Sequence, residues 1–487
     1  MFAAAGRALR RTPSVHLRVV CRAPRGRMIS VIGSYDSTCG IVCHEPLHPM
    51  LSAADAGRAG VGKFCDAQMH AMPKWTIFAR MPQGRPHMAG RAEDLQTTGQ
   101  MDIRQQGRPV TQVPMLDLKR QHARIKASLD AAIAEVMDSC KFINGPQVKL
   151  FTGRLAEYAG AKHAIGTANG TDALQIALMS LNLNPGDEVI VPAFTYVASA
   201  EVIALLHLVP VMVDVDYDSF NTTAANIERA ITRKTRAIIP VHLFGQSCPM
   251  EGIIDIAREH HLHIIEDNAQ SIGARYTFSD GTVKQTGTMG TFGCTSFFPT
   301  KNLGCMGDGG AIITDDDSMA ARAQMIASHG QSSKYHHEII GCNSRLDTLQ
   351  AAILSVKLDM LDTYIYSRQR AAATYDAGLR DVPGIAIPQR MKYSTHVFHQ
   401  YTIKVASGKR DGLQQYLSDN GIQSMVYYPC PLQRQQAFRG IARYGDNLDV
   451  SECLCREVLS IPMHPELTAD EQQYVIDKIK EYASQHL

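Results

Sequence analysis

Lys301 is the residue whose surroundings most invite chemistry. It closes the run Thr295-Ser296-Phe297-Phe298-Pro299-Thr300-Lys301-Asn302, and the glycine-rich stretch from Gly304 to Gly310 follows. A lysine just past a predicted strand, among small residues, has room to meet a bulky cofactor and to lose part of its hydration. Desolvation disfavours the ammonium form, and an amine that attacks a carbonyl or forms an imine must be neutral. A solvated surface lysine would fit the same letters, so the reading depends on what else the chain supplies.

Three further segments supply what a phosphorylated pyridine aldehyde requires. In Ala168-Asn169-Gly170-Thr171-Asp172-Ala173 a strand ends, glycine turns the chain and an apolar-faced helix begins. Free backbone N–H groups at Gly170 and Thr171 and the positive helix end then point at one spot, a phosphate site; an ordinary N-cap is the alternative. In Ile264-Ile265-Glu266-Asp267-Asn268-Ala269-Gln270-Ser271 a buried strand ends in a carboxylate. Asp267 suits the task of keeping a pyridine nitrogen protonated, Gln270 could reach a ring hydroxyl, and strand alternation sends Glu266 to the opposite face. In Pro192-Ala193-Phe194-Thr195-Tyr196-Val197-Ala198-Ser199 an aromatic ring stands at another strand end. Tyr196, in preference to Phe194, is placed to stack on the pyridine face, and either ring could instead be core. Ser296, five residues before the lysine, is placed to hydrogen-bond the phosphate; a satisfied hydroxyl inside the strand is the alternative. Together these groups call for pyridoxal 5'-phosphate (PLP), held by Lys301 as a Schiff base, with Lys301 as the mobile base that shuttles a proton during transamination.

No metal is expected. His260, His261 and His263, like His336 and His337, lack an acid or thiol at ligand spacing. Cys305 reads as a small buried residue rather than a nucleophile.

Positioning these groups falls to a pattern of apolar runs alternating with helical periods from Pro114 onward, the mark of a mainly parallel sheet covered by helices. Seven strands are predicted: His163–Gly166, Glu188–Val191, Val209–Val215, Ala237–His242, His263–Glu266, Phe292–Phe297 and Gly310–Thr314. Helices are predicted over Asp172–Leu181 and Thr223–Ile231, with a long helical region from Asp347 to Arg380. A second α+β pattern (Gln400–Val405, Gly412–Asn420, Ile422–Tyr427) follows. The expected organisation is an N-terminal extension over 1–113, mostly disordered, a PLP-binding large domain over 114–365, and a small C-terminal domain over 366–487.

With 49 Lys+Arg against 47 Asp+Glu, the chain has no charge surplus to suit nucleic acid or an anionic membrane. The twelve cysteines form no paired C-x-x-C motif and no disulfide framework, so they read as reduced thiols. The most apolar stretch, Val202 to Val215, is broken by His207, Pro210 and Asp214, short of the roughly 18–20 apolar residues of a membrane span. Before Asp36 there are seven arginines and no acid, a bias that suits an organelle transit peptide; Met101 and Met115 offer alternative starts. The expected compartment is the cytoplasm, or an organelle if that leader is a transit peptide.

These segments in this order, joined by Val241-His242-Leu243-Phe244-Gly245-Gln246 and by Gly341 to Ala352, resemble the DegT/DnrJ-type sugar aminotransferases, a fold-type I PLP family, over about residues 114 to 485. The likeness is nearest to UDP-2-acetamido-2-deoxy-ribo-hexuluronate aminotransferases, through Ala168–Ala173, Thr295–Phe298, His329-Gly330-Gln331 and Tyr335-His336-His337. The resemblance implies a fold-type I large domain with a smaller α+β domain, and a homodimer with shared active sites. It further implies glutamate as donor and a keto sugar nucleotide as acceptor, expected to be UDP-2-acetamido-2-deoxy-3-oxo-glucuronate, giving an amino sugar nucleotide for polysaccharide biosynthesis. Asn343 would reach the partner's phosphate, Arg345 would border the substrate, and Lys334 and His336 lie in the same loop. A dTDP-keto-6-deoxyhexose substrate and a non-catalytic regulatory role are the alternatives. A dehydratase of this family would carry histidine in place of Lys301. The chain departs from the pattern at Thr300, where serine is usual, and at Tyr427-Tyr428, where the nearest relatives have His-Tyr.

Overall fold

The computed structural model describes residues 110–487, except Ser407 and Asp446, and the backbone of four strands nearer the N-terminus. The chain divides into two compact units, Met1–Gly107 and Arg108–Leu487. In the first, Gly40–Cys43, Met28–Asp36, Val15–Arg22 and Ile77–Ala79 pair in that order as an antiparallel sheet. These strands fall in the stretch 1–113 expected to be mostly disordered, and so does Val113, which is buried and hydrogen-bonded rather than disordered; apart from these strands and residues 110–113, that stretch lies outside the described residues.

The second unit is α/β, as expected. Its main sheet has eight strands, in the order Arg443–Tyr444, Val209–Val213, Glu188–Pro192, Thr235–Ile238, His263–Asp267, Phe292–Ser296, Gly310–Thr314 and His163–Thr167. All pairings are parallel except those of Gly310–Thr314, which runs antiparallel to both neighbours. The seven predicted strands are all present. The eighth is a two-residue edge strand from the C-terminal region, too short for any alternation to announce. The predicted strand Ala237–His242 stops at Ile238 because Pro240 has no N–H for a ladder; Val241 returns only as an isolated bridge to Asp267. The strand Glu188–Pro192 is buried throughout, so it reads as an unbroken apolar run rather than an alternation.

The helix Gly170–Ser180 buries Ala173, Leu174, Ala177 and Leu178, the predicted face, and Leu181 just beyond its end, against this sheet. The predicted helix at Thr223 is shorter than expected, Ala224–Glu228, with Thr223 as its cap. The long region from Asp347 is two helices, Thr348–Leu358 and Leu361–Leu379. Arg154 Nη1 donates to the Ser355 carbonyl at 3.0 Å, satisfying one acceptor that the end of the first helix leaves open. The second helix crosses between two cores. Its Leu361 and Ile365 pack beside Phe297 and Leu303, whereas Ala371, Ala372, Tyr375 and Leu379 pack with the smaller C-terminal layer. That layer holds the antiparallel sheet Ile385–Ala386, Tyr401–Val405, Val458–Ile461 and the helices Arg410–Asp419 and Ala469–His486. Ile422–Tyr427 is not the continuous strand expected. Ile422 bridges Val113 and Met425 bridges Ser460, so the segment is shared between two neighbours and ladders with neither.

Val113 is fully buried in that C-terminal layer, with its N–H donated to Gly421 O and its carbonyl accepting from Gln423 N, both at 2.9 Å. A chain begun at Met101 should therefore match the full chain in denaturant unfolding. One begun at Met115 should lose roughly 2.5–6 kcal/mol, the sum of one buried valine and two backbone hydrogen bonds. Equal stability of the two truncations would show that Val113 contributes nothing.

Candidate active site

Strands His163–Thr167, Glu188–Pro192, His263–Asp267 and Phe292–Ser296 run the same way, so their carboxyl ends open on one edge of the sheet. In open α/β sheets that edge is where ligands bind. Asn169 caps the helix that follows the first of these strands, its Oδ1 accepting from Asp172 N at 2.8 Å. A Cβ at position 170 would lie 2.6 Å from Ser296 Cβ. Glycine is thus what lets the helix start press directly on the serine, and the two expected phosphate contacts meet there. Thr171 follows in the first helical turn, half-buried. Ser344 Oγ accepts from Ala168 N at 3.0 Å, tying a distant loop to this turn.

Asp267 is 6% exposed. Ser199 Oγ donates to its Oδ2 at 2.7 Å, and Ala269 N donates to its Oδ1 at 3.1 Å. Both donors fix the orientation of the carboxylate. Glu266 faces the other way, as alternation required, and is wholly buried. Its carboxylate accepts from Gly287 N, Met289 N and Gly290 N at 2.6–2.8 Å and pairs with His242 Nε2 at 2.8 Å. Because His242 Nδ1 accepts from Cys248 N at 3.1 Å, the ring proton lies on Nε2 and donates to Glu266. Burial, reinforced by Glu266 and Asp267, pushes the Cys248 thiol up, and burial with the same two acids does so for Cys294, so neither is a nucleophile.

Lys301 keeps a partly exposed side chain, but its ammonium sits deep enough for burial to lower its pKa to about 8 against a smaller opposing pull from Asp267. Lys301 N donates to Phe298 O at 2.8 Å, and Cys305 N closes the loop onto Phe297 O, also at 2.8 Å. His399 lies buried near Lys301; burial, then Lys301 and Arg368, hold its pKa well below the usual histidine value.

Gln270 has its amide orientation fixed at both ends. Its Oε1 accepts from Phe244 N at 2.8 Å and its Nε2 donates to Tyr428 OH at 3.2 Å, which leaves one N–H to donate elsewhere. Burial raises the Tyr428 pKa, so the phenol stays protonated. Tyr196 is 57% exposed and its ring lies 6.3 Å from that of Tyr428; Phe194 is buried core at 1%. The stacking face is therefore open at Tyr196 and not at Phe194.

Lys334 and His336 belong to an exposed hairpin, Gln331–Ser333 with His336–His337, where Lys334 Nζ lies 5.2 Å from the Tyr335 ring centre. Asn343 is exposed and Arg345 half-buried, on either side of the buried Ser344. Among the described residues, no hydrogen bond, ion pair or ring contact joins Lys334, His336, Asn343 or Arg345 to the Lys301 cluster, and no group of His, Cys, Asp or Glu could hold a metal ion.

Residues 123–480 match the model of the DegT/DnrJ/EryC1/StrS aminotransferase family. The chain belongs to this family. Over 372 residues the chain is 48% identical to a "Pleiotropic regulatory protein" of Geobacillus stearothermophilus, covering 76% of this chain and 98% of that protein. Over 355 residues it is 46% identical to the UDP-2-acetamido-2-deoxy-3-oxo-D-glucuronate aminotransferase of Pseudomonas aeruginosa, 73% of this chain and 96% of the relative. The crystal structure of S. venezuelae DesV superposes with a TM-score of 0.73 at 40% identity, covering 77% of this chain and 99% of that one.

This family member is a PLP-dependent sugar aminotransferase. Its residues fit the cofactor: a helix start packed onto Ser296, a buried, hydrogen-bonded carboxylate, and a lysine of depressed pKa share one sheet edge. Sequence reasoning did not single out Ser199 or His399. Ser199 was within a quoted segment, but nothing in its spacing from Tyr196 announces a carboxylate partner 68 residues away. Tyr428 was noted only as part of a departure from the family pattern.

Ser199→Ala leaves Asp267 Oδ2 without that donor. A hydrogen bond to a charged group contributes about 1.5–3 kcal/mol, so the single-turnover rate with an amino donor should fall roughly tenfold to a hundredfold. An unchanged rate would mean that Asp267 needs no help from Ser199.

Proposed function

We propose that this aminotransferase moves an amino group from glutamate to UDP-2-acetamido-2-deoxy-3-oxo-glucuronate, giving an amino sugar nucleotide for polysaccharide assembly. The observation that carries the choice of sugar is the 46% identity, over nearly the full length of the relative, to an enzyme named for that substrate. Retention of Lys301, Asp267 and Ser296 on one sheet edge supports catalysis rather than a purely regulatory role.

When bound, PLP supplies an aldehyde that takes up the amino group and a ring that accepts the electron pair left when Cα loses its proton. The chain's own residues do the rest. The backbone N–H groups of Gly170 and Thr171 and the Ser296 hydroxyl hold the phosphate. Asp267, oriented by Ser199, keeps the proton on the pyridine nitrogen, and Gln270 gives its remaining N–H to the ring hydroxyl. Tyr196 covers the ring face and excludes water from it. Lys301 would anchor the cofactor and, once displaced from it, would serve as the base that carries a proton between the substrate Cα and the cofactor C4′.

A homodimer completes the reading. Met137, Phe142, Ile143 and Leu150 expose large apolar side chains on neighbouring segments between Leu118 and Ala159, a surface suited to a second copy. Asn343, from that copy, would meet the phosphate. We place the reaction in the cytoplasm; all eight described cysteines are free thiols, as a reducing compartment keeps them. No described helix is long and apolar enough to cross a membrane.

Lys301→Ala should abolish transamination while the fold and the oligomeric state persist; substantial turnover with glutamate would remove the lysine from the mechanism. The sugar is tested by Arg345→Gln, with Lys334 as the second candidate cation. A bidentate arginine–carboxylate contact contributes about 1.5–3 kcal/mol, so kcat/KM for the uronate should drop roughly tenfold to a hundredfold more than for an uncharged keto sugar nucleotide. Equal losses on both sugars, or a native preference for a dTDP-keto-6-deoxyhexose, would defeat the uronate assignment and leave the aminotransferase chemistry standing.

A further inference from the structure

Lys357 is 2% exposed and, among the described residues, has no carboxylate partner. Its Nζ donates to Gly304 O at 2.6 Å and lies 3.2 Å from His122 Nε2. A buried ammonium is expensive, and an apolar side chain of similar volume is the usual way to fill such a place. The charge is therefore kept for what it holds, and what it holds is the far end of the loop that carries Lys301. That loop leaves the sheet at Phe297 and returns at Cys305, whose N–H and Sγ both bond Phe297 O at 2.8 Å. A side chain at Gly304 would press against Pro299 O, 2.5 Å from its Cβ, so the loop is already tight there.

A second contact comes from the same helix, Thr348–Leu358. Gln350, seven residues before Lys357 and on the same helical face, accepts from Met306 N at 2.8 Å and donates to Met306 O at 3.2 Å. One helix thus grips the chain on both sides of Cys305. Its own position is set by packing against the helices Leu118–Ser139 and Pro146–Ala159, the first of which contributes His122.

We propose that Lys357 is a positioning residue for the aminotransferase reaction: by holding the Gly304 carbonyl it fixes the loop that presents the Lys301 amine. The inference rests on the reading of Lys301 given above. Lys357 touches neither substrate nor cofactor. It acts through four residues of backbone, and the cost of burying its charge is the cost of setting the lysine's reach. His122 stays neutral in this arrangement, because burial and the adjacent ammonium both lower its pKa, and so it can accept from Lys357.

The test uses the full-length, cofactor-loaded protein and compares Lys357→Met with Lys357→Arg, which keeps a donor. Two readouts are taken: the pH midpoint of the visible absorbance band, and kcat and KM with glutamate. In Lys357→Met the midpoint should move by about half a pH unit or more as the amine's surroundings relax. The kcat should fall roughly tenfold to a hundredfold, as small misplacements do, with KM changed less than about twofold. Lys357→Arg should recover part of both. Where Lys357→Met does not fold, Gln350→Leu frees Met306 instead and should shift both readouts in the same direction. A Lys357→Met or Gln350→Leu protein that loses melting temperature while the midpoint and kcat stay at the native values overturns the proposal and leaves a stability role. A visible band and turnover that persist in Lys301→Ala overturn the assignment of Lys301, and this inference with it.

Discussion

An ammonium buried without a fixed counter-ion is among the most costly groups a fold can contain, and this chain buries one, Lys357, beside the loop of a second, partly exposed lysine, Lys301. Lys301 and Lys357 both have pKa values lowered by burial to about 8. At Lys301 the depressed value is useful, because a readily deprotonated amine is what proton transfer needs. At Lys357 it is a by-product of holding a backbone carbonyl in a dry place. Much of the surrounding architecture serves to make the first of these tolerable. The Lys301 loop is closed by Phe297 and Cys305, buries its Leu303 in the same cluster as Leu354, and is bonded from Asn302 Nδ2 to Val397 O at 3.1 Å.

The neighbouring acids show how one short strand serves two purposes. Asp267 faces the open edge with two donors of its own, whereas Glu266 on the other side collects three backbone N–H groups and a neutral histidine. A carboxylate so fully bonded is a bolt for the turn Gly287–Gly290, which leads into the strand ending at Ser296. The placement of Ser296 against Gly170 is thereby linked to the strand that ends in Asp267. Charge, tautomer and strand register all have to agree for that link to hold.

Much of this was legible from the chain alone, for reasons that can be located. The strand ends at Thr167, Asp267 and Ser296 could be found because short apolar runs stop at polar, chemically distinctive residues. The helix after Asn169 could be found because Ala173, Leu174, Ala177 and Leu178 repeat at helical spacing. What escaped was set by contacts remote in sequence. Pro240 shortened a strand, the region after Asp347 breaks into two helices between Leu358 and Leu361, and the edge strand Arg443–Tyr444 is only two residues long. Within the site, Asp267 could be picked out by type and place, but its partner Ser199 could not. The exposed hairpin with Lys334 and His336 had a recognisable likeness to relatives, yet one chain alone gives it no contact with Lys301.

The helix Leu361–Leu379 belongs half to one core and half to the other, with Ile365 on the near side and Ala371 on the far side. A rigid rod anchored in two bodies forbids either from loosening by itself. Opening the smaller sheet would drag Ile365 away from Gly273, against which its Cδ1 is already packed. It would also disturb Arg368, whose Nη1 donates to Phe398 O and Met463 O inside the smaller layer. The layers around the sheet edge are thus mechanically a single block. Amide protons on the two sheets of this unit should then exchange through a common global opening rather than through separate local ones.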